Sequence, residues 1–142
     1  MRGKIFTTDE ANRMLPLVSR IAEDIVATYA DVNRALQAFE AEKTRSEAGT
    51  SAEREARQPF LRQRDVDVAS ILDRFQGLIE EIEALGGTVK DYERGMIDFY
   101  GEVDGEIVYL CWQRGEAEIA HWHRLEEGFN KRRPLPVSAP AA

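Results

Sequence analysis

The stretch MIDFYGEVDGEIVYLCW, Met96 to Trp112, changes the period of the chain and decides the fold. Aromatic and aliphatic residues run on both sides of Asp104-Gly105, and Asp-Gly between such runs is the strongest short-range signal of a β-hairpin. A two-residue turn fixes the register. Val103 then faces Glu106, Phe99 faces Leu110 and Ile97 faces Trp112; on the opposite face Asp98 lies across from Cys111 and Tyr100 across from Tyr109. RGEAE next turns the chain, and IAHWHRL supplies a third strand. Strands are expected near residues 96–103, 106–113 and 118–125, a three-stranded antiparallel β-meander.

Upstream of this hairpin the apolar period is helical. Thr7 with Glu10 three residues later reads as a capping box. From there Ala11, Met14, Val18, Ile21, Ile25, Thr28, Val32, Ala35 and Phe39 step by three and four, with Leu15, Ala22, Tyr29 and Leu36 widening the stripe. Pro16 lacks an N–H and predicts a bend in the first turns, not a break. Residues 41–58 carry no apolar stripe, and Gly49-Thr50-Ser51 with mixed charge around it predicts a solvated linker. Leu61, Val68, Leu72, Phe75, Ile79 and Ile82 mark a second helix, from the high fifties to Leu85, which Gly86-Gly87 ends. The fold class is therefore α+β: a long antiparallel two-helix hairpin, about 8–86, then the meander, about 95–126, in one domain spanning 1–136. Pro, Ala and Ser over 137–142 predict a disordered tail.

The chain has 142 residues, 43% apolar and 32% charged, which fits one domain with a real core. A net charge of -7 argues against nucleic acid or an anionic membrane as partner, since phosphate recognition needs a basic surface. The only basic run is Lys131-Arg132-Arg133. MRGKIFTTDEANR turns polar where the apolar core of a signal peptide would begin, and no apolar run reaches membrane-spanning length. One cysteine excludes an intrachain disulfide. A cytoplasmic location is expected.

KIFTTDEANRMLPLV at the start, VKDYERGMIDF in the middle and YLCWQRGEAEIAHWH followed by GF resemble the bacterial family called domain of unknown function 2203. The resemblance implies the order of elements; it brings no activity, cofactor or catalytic residue with it. Its pattern more often has an aromatic where this chain has His121, which argues against a mechanism that needs two histidines.

The only cysteine, both tryptophans and both histidines fall between Cys111 and His123. Whether they form a site depends on the second turn. With three loop residues, Gly115-Glu116-Ala117, Arg114 pairs with Glu118, Cys111 faces His121, Tyr109 faces His123 and Leu110 faces Trp122. With two, Gly115-Glu116, every side chain of the third strand flips to the other face. The first register is preferred because it keeps both tryptophans on the core. Asp98, Cys111, His121 and His123 then share the polar face, with Tyr100 and Tyr109 beside them. Cys111, His121 and His123, with Asp98, are acceptable ligands for a divalent transition metal such as zinc, although His-x-His on a strand is a weak motif. No other cofactor is expected. Cys111 as a nucleophile is weighed down by its mid-strand place, because free cysteine is commonly a buried packing residue.

Asp98, Glu116 and His123 are the candidate acid/base groups, and Lys90, Trp112, Arg114 and Arg133 the candidate ligand contacts; surface ion pairs and core aromatics are the plainer account of the latter. Helices of about 30 residues reach about 45 Å, whereas strands of about 7 cover about 23 Å. The surplus stripe predicts a homodimer joined helix to helix through Val18, Ile25 and Val32 or the flanking Leu15, Tyr29 and Leu36. A non-enzymatic homodimeric interaction module is thus the leading expectation. The alternative is a metal- or small-ligand-binding protein, or an enzyme, built on the polar sheet face.

Overall fold

A computed structural model describes residues 3–136, so the tail expected at 137–142 lies outside the described residues. Helix α1, Thr8–Ala48, begins at the anticipated capping box: Glu10 N donates to Thr7 Oγ1 at 3.1 Å and Thr7 N to Glu10 Oε1 at 2.9 Å. It runs through Pro16 without a break. Helix α2, Ser51–Ala84, is separated from α1 by only two residues, with Thr50 as its N-cap. The linker expected at 41–58 is therefore helical on both sides of a Gly49-Thr50 turn. Ala, Glu, Lys and Arg in this segment favour helix without needing a buried stripe. Arg57 also clamps Glu42 across the two helices at 2.8 and 3.1 Å.

Gly86, at φ +96°, turns the chain out of α2, and a Cβ there would meet the Phe6 ring at 2.7 Å. The chain then enters β1, Gly87–Asp91, followed by β2, Met96–Val103, β3, Glu106–Gln113, β4, His121–Arg124, and β5, Arg133–Pro134. The sheet thus has five strands, not three, each antiparallel to its neighbours in the order β1-β2-β3-β4-β5. The meander description holds, but its two outermost strands were not expected. Strand β1 alternates in burial but has Val89 as its one large apolar residue, too little apolar signal to mark a strand in sequence. Strand β5 is two residues long and includes a proline, which suits only an edge.

The central hairpin has the expected register: Ile97 pairs with Trp112, Phe99 with Leu110 and Val103 with Glu106. Asp104 and Gly105 take φ of 51° and 80°, the left-handed pair of a type I′ turn. Strand β4 adopts the preferred register, Tyr109 opposite His123, Leu110 opposite Trp122 and Cys111 opposite His121. It is shorter than expected, and Arg114 and Glu118 belong to the connection instead of a ladder. Asn12 on α1 holds that connection, accepting from Ile119 N at 2.7 Å.

The core lies between the hairpin and one face of the sheet. Ile97, Phe99, Leu110 and Trp112 meet Val18, Ile21, Ile25, Phe75 and Ile82, all buried. Ile79 and Trp122 are only half-buried at its margin. Phe6 packs edge-on against Phe99 at 5.5 Å. Leu15, Val18, Ile25 and Val32, expected to join two copies, are buried within the single chain. The reason is that α2 and the sheet together cover that part of the stripe. The surplus starts farther out, where Leu36 lies four residues beyond Val32 and is 41% exposed. Among the described residues no helix is long and apolar enough to cross a membrane.

Candidate metal centre

The opposite face of the sheet carries the chemistry. In an antiparallel ladder, directly opposed residues share a face, so Asp98 on β2, Cys111 on β3 and both histidines of β4 point away from the helices. Three of them converge. One ligand atom each from Asp98, Cys111 and His123 lies within 4.8 Å of the others, and all three residues are buried. His123 Nε2 stands 2.9 Å from Asp98 Oδ2, and His123 Nδ1 stands 2.9 Å from the Arg124 carbonyl oxygen.

That second contact settles the histidine's tautomer. A carbonyl oxygen only accepts, so Nδ1 carries a hydrogen. Nε2 then faces a carboxylate oxygen across one proton, held either as imidazolium or as carboxylic acid. Asp98 Oδ1 is buried with no hydrogen-bond partner among the described residues. Burial pushes the Asp98 carboxyl above its ordinary range, against the opposing pull of His123. The Cys111 thiol is pushed up to about 12, first by burial and then by the Asp98 charge, with Arg132 pulling weakly the other way. A thiol so raised is no nucleophile at neutral pH.

The remaining expected residues go elsewhere. His121 lies on the same face but outside the cluster; its Nδ1 is 3.9 Å from Glu116 Oε2. Glu116 accepts from both terminal nitrogens of Arg132, at 2.9 and 2.7 Å, and from Gln113 N at 2.7 Å. Burial raises Glu116, but Arg132 and Gln113 outweigh it and hold the carboxyl below its ordinary range. Trp112 is buried and donates to the Glu116 carbonyl at 3.0 Å, so its ring faces the core and no ligand. Arg114 reaches across to Glu23 at 3.2 and 3.1 Å. Arg133 forks onto Glu127 at 2.9 Å twice and lies over Trp122.

Lys90 alone of the four ligand candidates stays with the cluster: its Nζ lies 4.3 Å over the Tyr109 ring, and its charge acts on Asp98. It forms one wall of a cleft of about 560 Å³, whose floor is Asp98 and His123 and whose rim includes Arg94, Phe129 and Lys131. Cys111 lies behind, outside the lining. Arg94, Lys131 and Arg132 were not singled out in sequence. The last two sit in the one basic run of the chain, and that run was the signal.

No curated protein and no solved structure matches this chain. A family model described as an uncharacterized conserved protein does match, over residues 4–135. With the match covering nearly the whole chain, both helices and all five strands included, this protein belongs to that family, DUF2203.

Proposed function

We propose that the protein binds zinc or another late transition metal through Asp98, Cys111 and His123. The observation that carries this reading is the orientation of His123. With Nδ1–H fixed on the Arg124 carbonyl, Nε2 is aimed at a carboxylate and a thiol, the arrangement in which second-shell contacts orient metal-bound imidazoles. A metal takes the place of the shared proton. It also gives the buried Asp98 Oδ1 the partner it lacks among the described residues. The charges balance, because one carboxylate and one thiolate offset a divalent ion. Ligand atoms of a tetrahedral zinc stand about 3.3–3.7 Å apart, as follows from its bond lengths. Side-chain shifts of about 1 Å therefore close this cluster on the ion. Three protein ligands leave a fourth position, and the cleft lies on the Asp98–His123 side of the cluster, which is how an open site is built.

Titration of metal-free protein with zinc against a chromophoric chelator tests the reading. One tight equivalent per chain is expected, lost in His123→Ala and Asp98→Ala and kept in His121→Ala. Binding that survives both substitutions contradicts it.

A second reading, a homodimer through the helices, is favoured by the outer hairpin. Leu36 is 41% exposed and Phe60 63% exposed, well beyond the sheet. The contact in this reading involves those residues rather than Ile25 and Val32. Sedimentation equilibrium tests it: a mass near twice 16.1 kDa that falls in Leu36→Glu is expected, and a constant 16.1 kDa contradicts it.

A further inference from the structure

The rim of the cleft over His123 has an unusual charge balance for a chain of net charge -7. Lys90, Arg94 and Lys131 line it, and all three are exposed. Among the described residues, none of these three cations forms an ion pair within 4.0 Å. The acids lining the same cleft are already engaged. Glu127 is forked by Arg133 and accepts from Arg124 N, which holds its carboxyl down at about 2. Asp91 Oδ1 accepts from the backbone N–H groups of Glu93 and Arg94 at 2.9 and 2.8 Å. Asp98 is turned to His123 on the floor. Among the described residues, three cations without an ion-pair partner thus converge where Arg133 neutralises Glu127 and where Asp91 and Asp98 are held by local hydrogen bonds.

We infer that the cleft receives a small oxyanion, the carboxylate or phosphate group of a metabolite-sized ligand. Its charged group is met by Lys90, Arg94 and Lys131, and one oxygen reaches the open position of the metal. The last clause rests on the metal reading above; the cationic rim does not. The chemistry is that of paired recognition. A metal with two anionic ligands is neutral overall and adds no net repulsion or attraction beyond its Lewis acidity, so the rim supplies the charge that selects an anion. A volume of about 560 Å³ lies within the usual range of small-molecule sites and exceeds what a bare phosphate fills, which leaves room for the body of the ligand. The Phe129 ring and Met96 provide an apolar surface for that body.

Isothermal titration of zinc-loaded and metal-free protein with inorganic phosphate and with succinate tests the inference. Binding of at least one of the two anions is expected, weakening with salt. The triple variant Lys90→Gln, Arg94→Gln, Lys131→Gln should lose at least about tenfold in anion affinity while its zinc affinity does not fall. Phosphate and succinate distinguish the two sources of the oxyanion. Anion binding that is equal with and without zinc, yet lost in the triple variant, upholds the rim and removes only the metal from the site. No binding of either anion by the wild type in both forms, or binding unchanged in the triple variant, overturns the inference.

Discussion

His123 holds Asp98 at 2.9 Å with both residues buried, and neither side chain contributes to the apolar core. A buried ionisable pair with one oxygen unpartnered is a poor stabilising device, because desolvation offsets most of the attraction. Its presence on the solvent side of a sheet whose other face holds the core points to use in binding. That distinction leads directly to a test.

Asp98→Asn keeps the shape and can still donate to His123 Nε2. The variant should fold with a Tm equal to or above that of the metal-free wild type, yet lose zinc. Thermal unfolding in the presence of a chelator, with zinc titration alongside, measures both. A large fall in Tm with zinc binding intact would mean that the pair serves the fold.

Cys111 is fully buried and its thiol is pushed up to about 12. In folded metal-free protein it should therefore resist alkylation by iodoacetamide at neutral pH and react readily in urea. Mass spectrometry of timed samples reads the outcome. Rapid modification of the native protein would show an open, ionised thiol and contradict the burial described.

Acid should release the start of α1. The exposed Glu10 carboxyl is held at about 2 by Thr7 N–H, Lys4 and the Thr7 hydroxyl, against an ordinary value of 4.5. Its contribution is present in full above pH 4.5 and is lost as pH falls towards 2. Denaturant unfolding of wild type and Glu10→Gln from pH 7 to pH 2 should give curves that differ at the upper end and converge at the lower. A gap independent of pH contradicts the capping role.

Phe75 packs between Tyr29 and Tyr92, with ring centroids at 5.7 and 5.1 Å, and joins the hairpin to the sheet side of the core. Phe75→Ala should cost about 3–5 kcal/mol in urea unfolding. A loss below about 1 kcal/mol would show that the site is not packed as described.

The central hairpin was legible because Asp104-Gly105 has a single preferred geometry and its flanks alternate. The helices were legible where apolar residues recur, from Ala11 to Val32 and from Phe75 to Ile82. The segment 41–58 was missed because helix propensity, the Thr50 cap and the buried polar residues Glu42 and Ser46, not an apolar stripe, hold it. Strands β1 and β5 escaped because ladder hydrogen bonds to an existing sheet, not their own side chains, define them. For the site, the shared face of Asp98, Cys111 and His123 follows from pairing parity once the second turn takes the register that keeps both tryptophans on the core side. The exclusion of His121 does not: Glu116 is drawn to Arg132, beyond the sheet, and His121 lies by that pair and not by Asp98. The rim likewise depends on how Asp91 and Glu127 are satisfied by local backbone and by Arg133, which no spacing rule reveals.

The most direct measurement of the central claim is the absorption spectrum of protein loaded with Co²⁺ in place of zinc. Intense visible bands of a four-coordinate ion are expected, together with a thiolate-to-cobalt charge-transfer band in the near ultraviolet. That band should vanish in Cys111→Ala, whereas His121→Ala leaves the spectrum unchanged. Weak bands of a six-coordinate ion with no charge transfer, or a spectrum that Cys111→Ala does not alter, would contradict a metal centre of Asp98, Cys111 and His123.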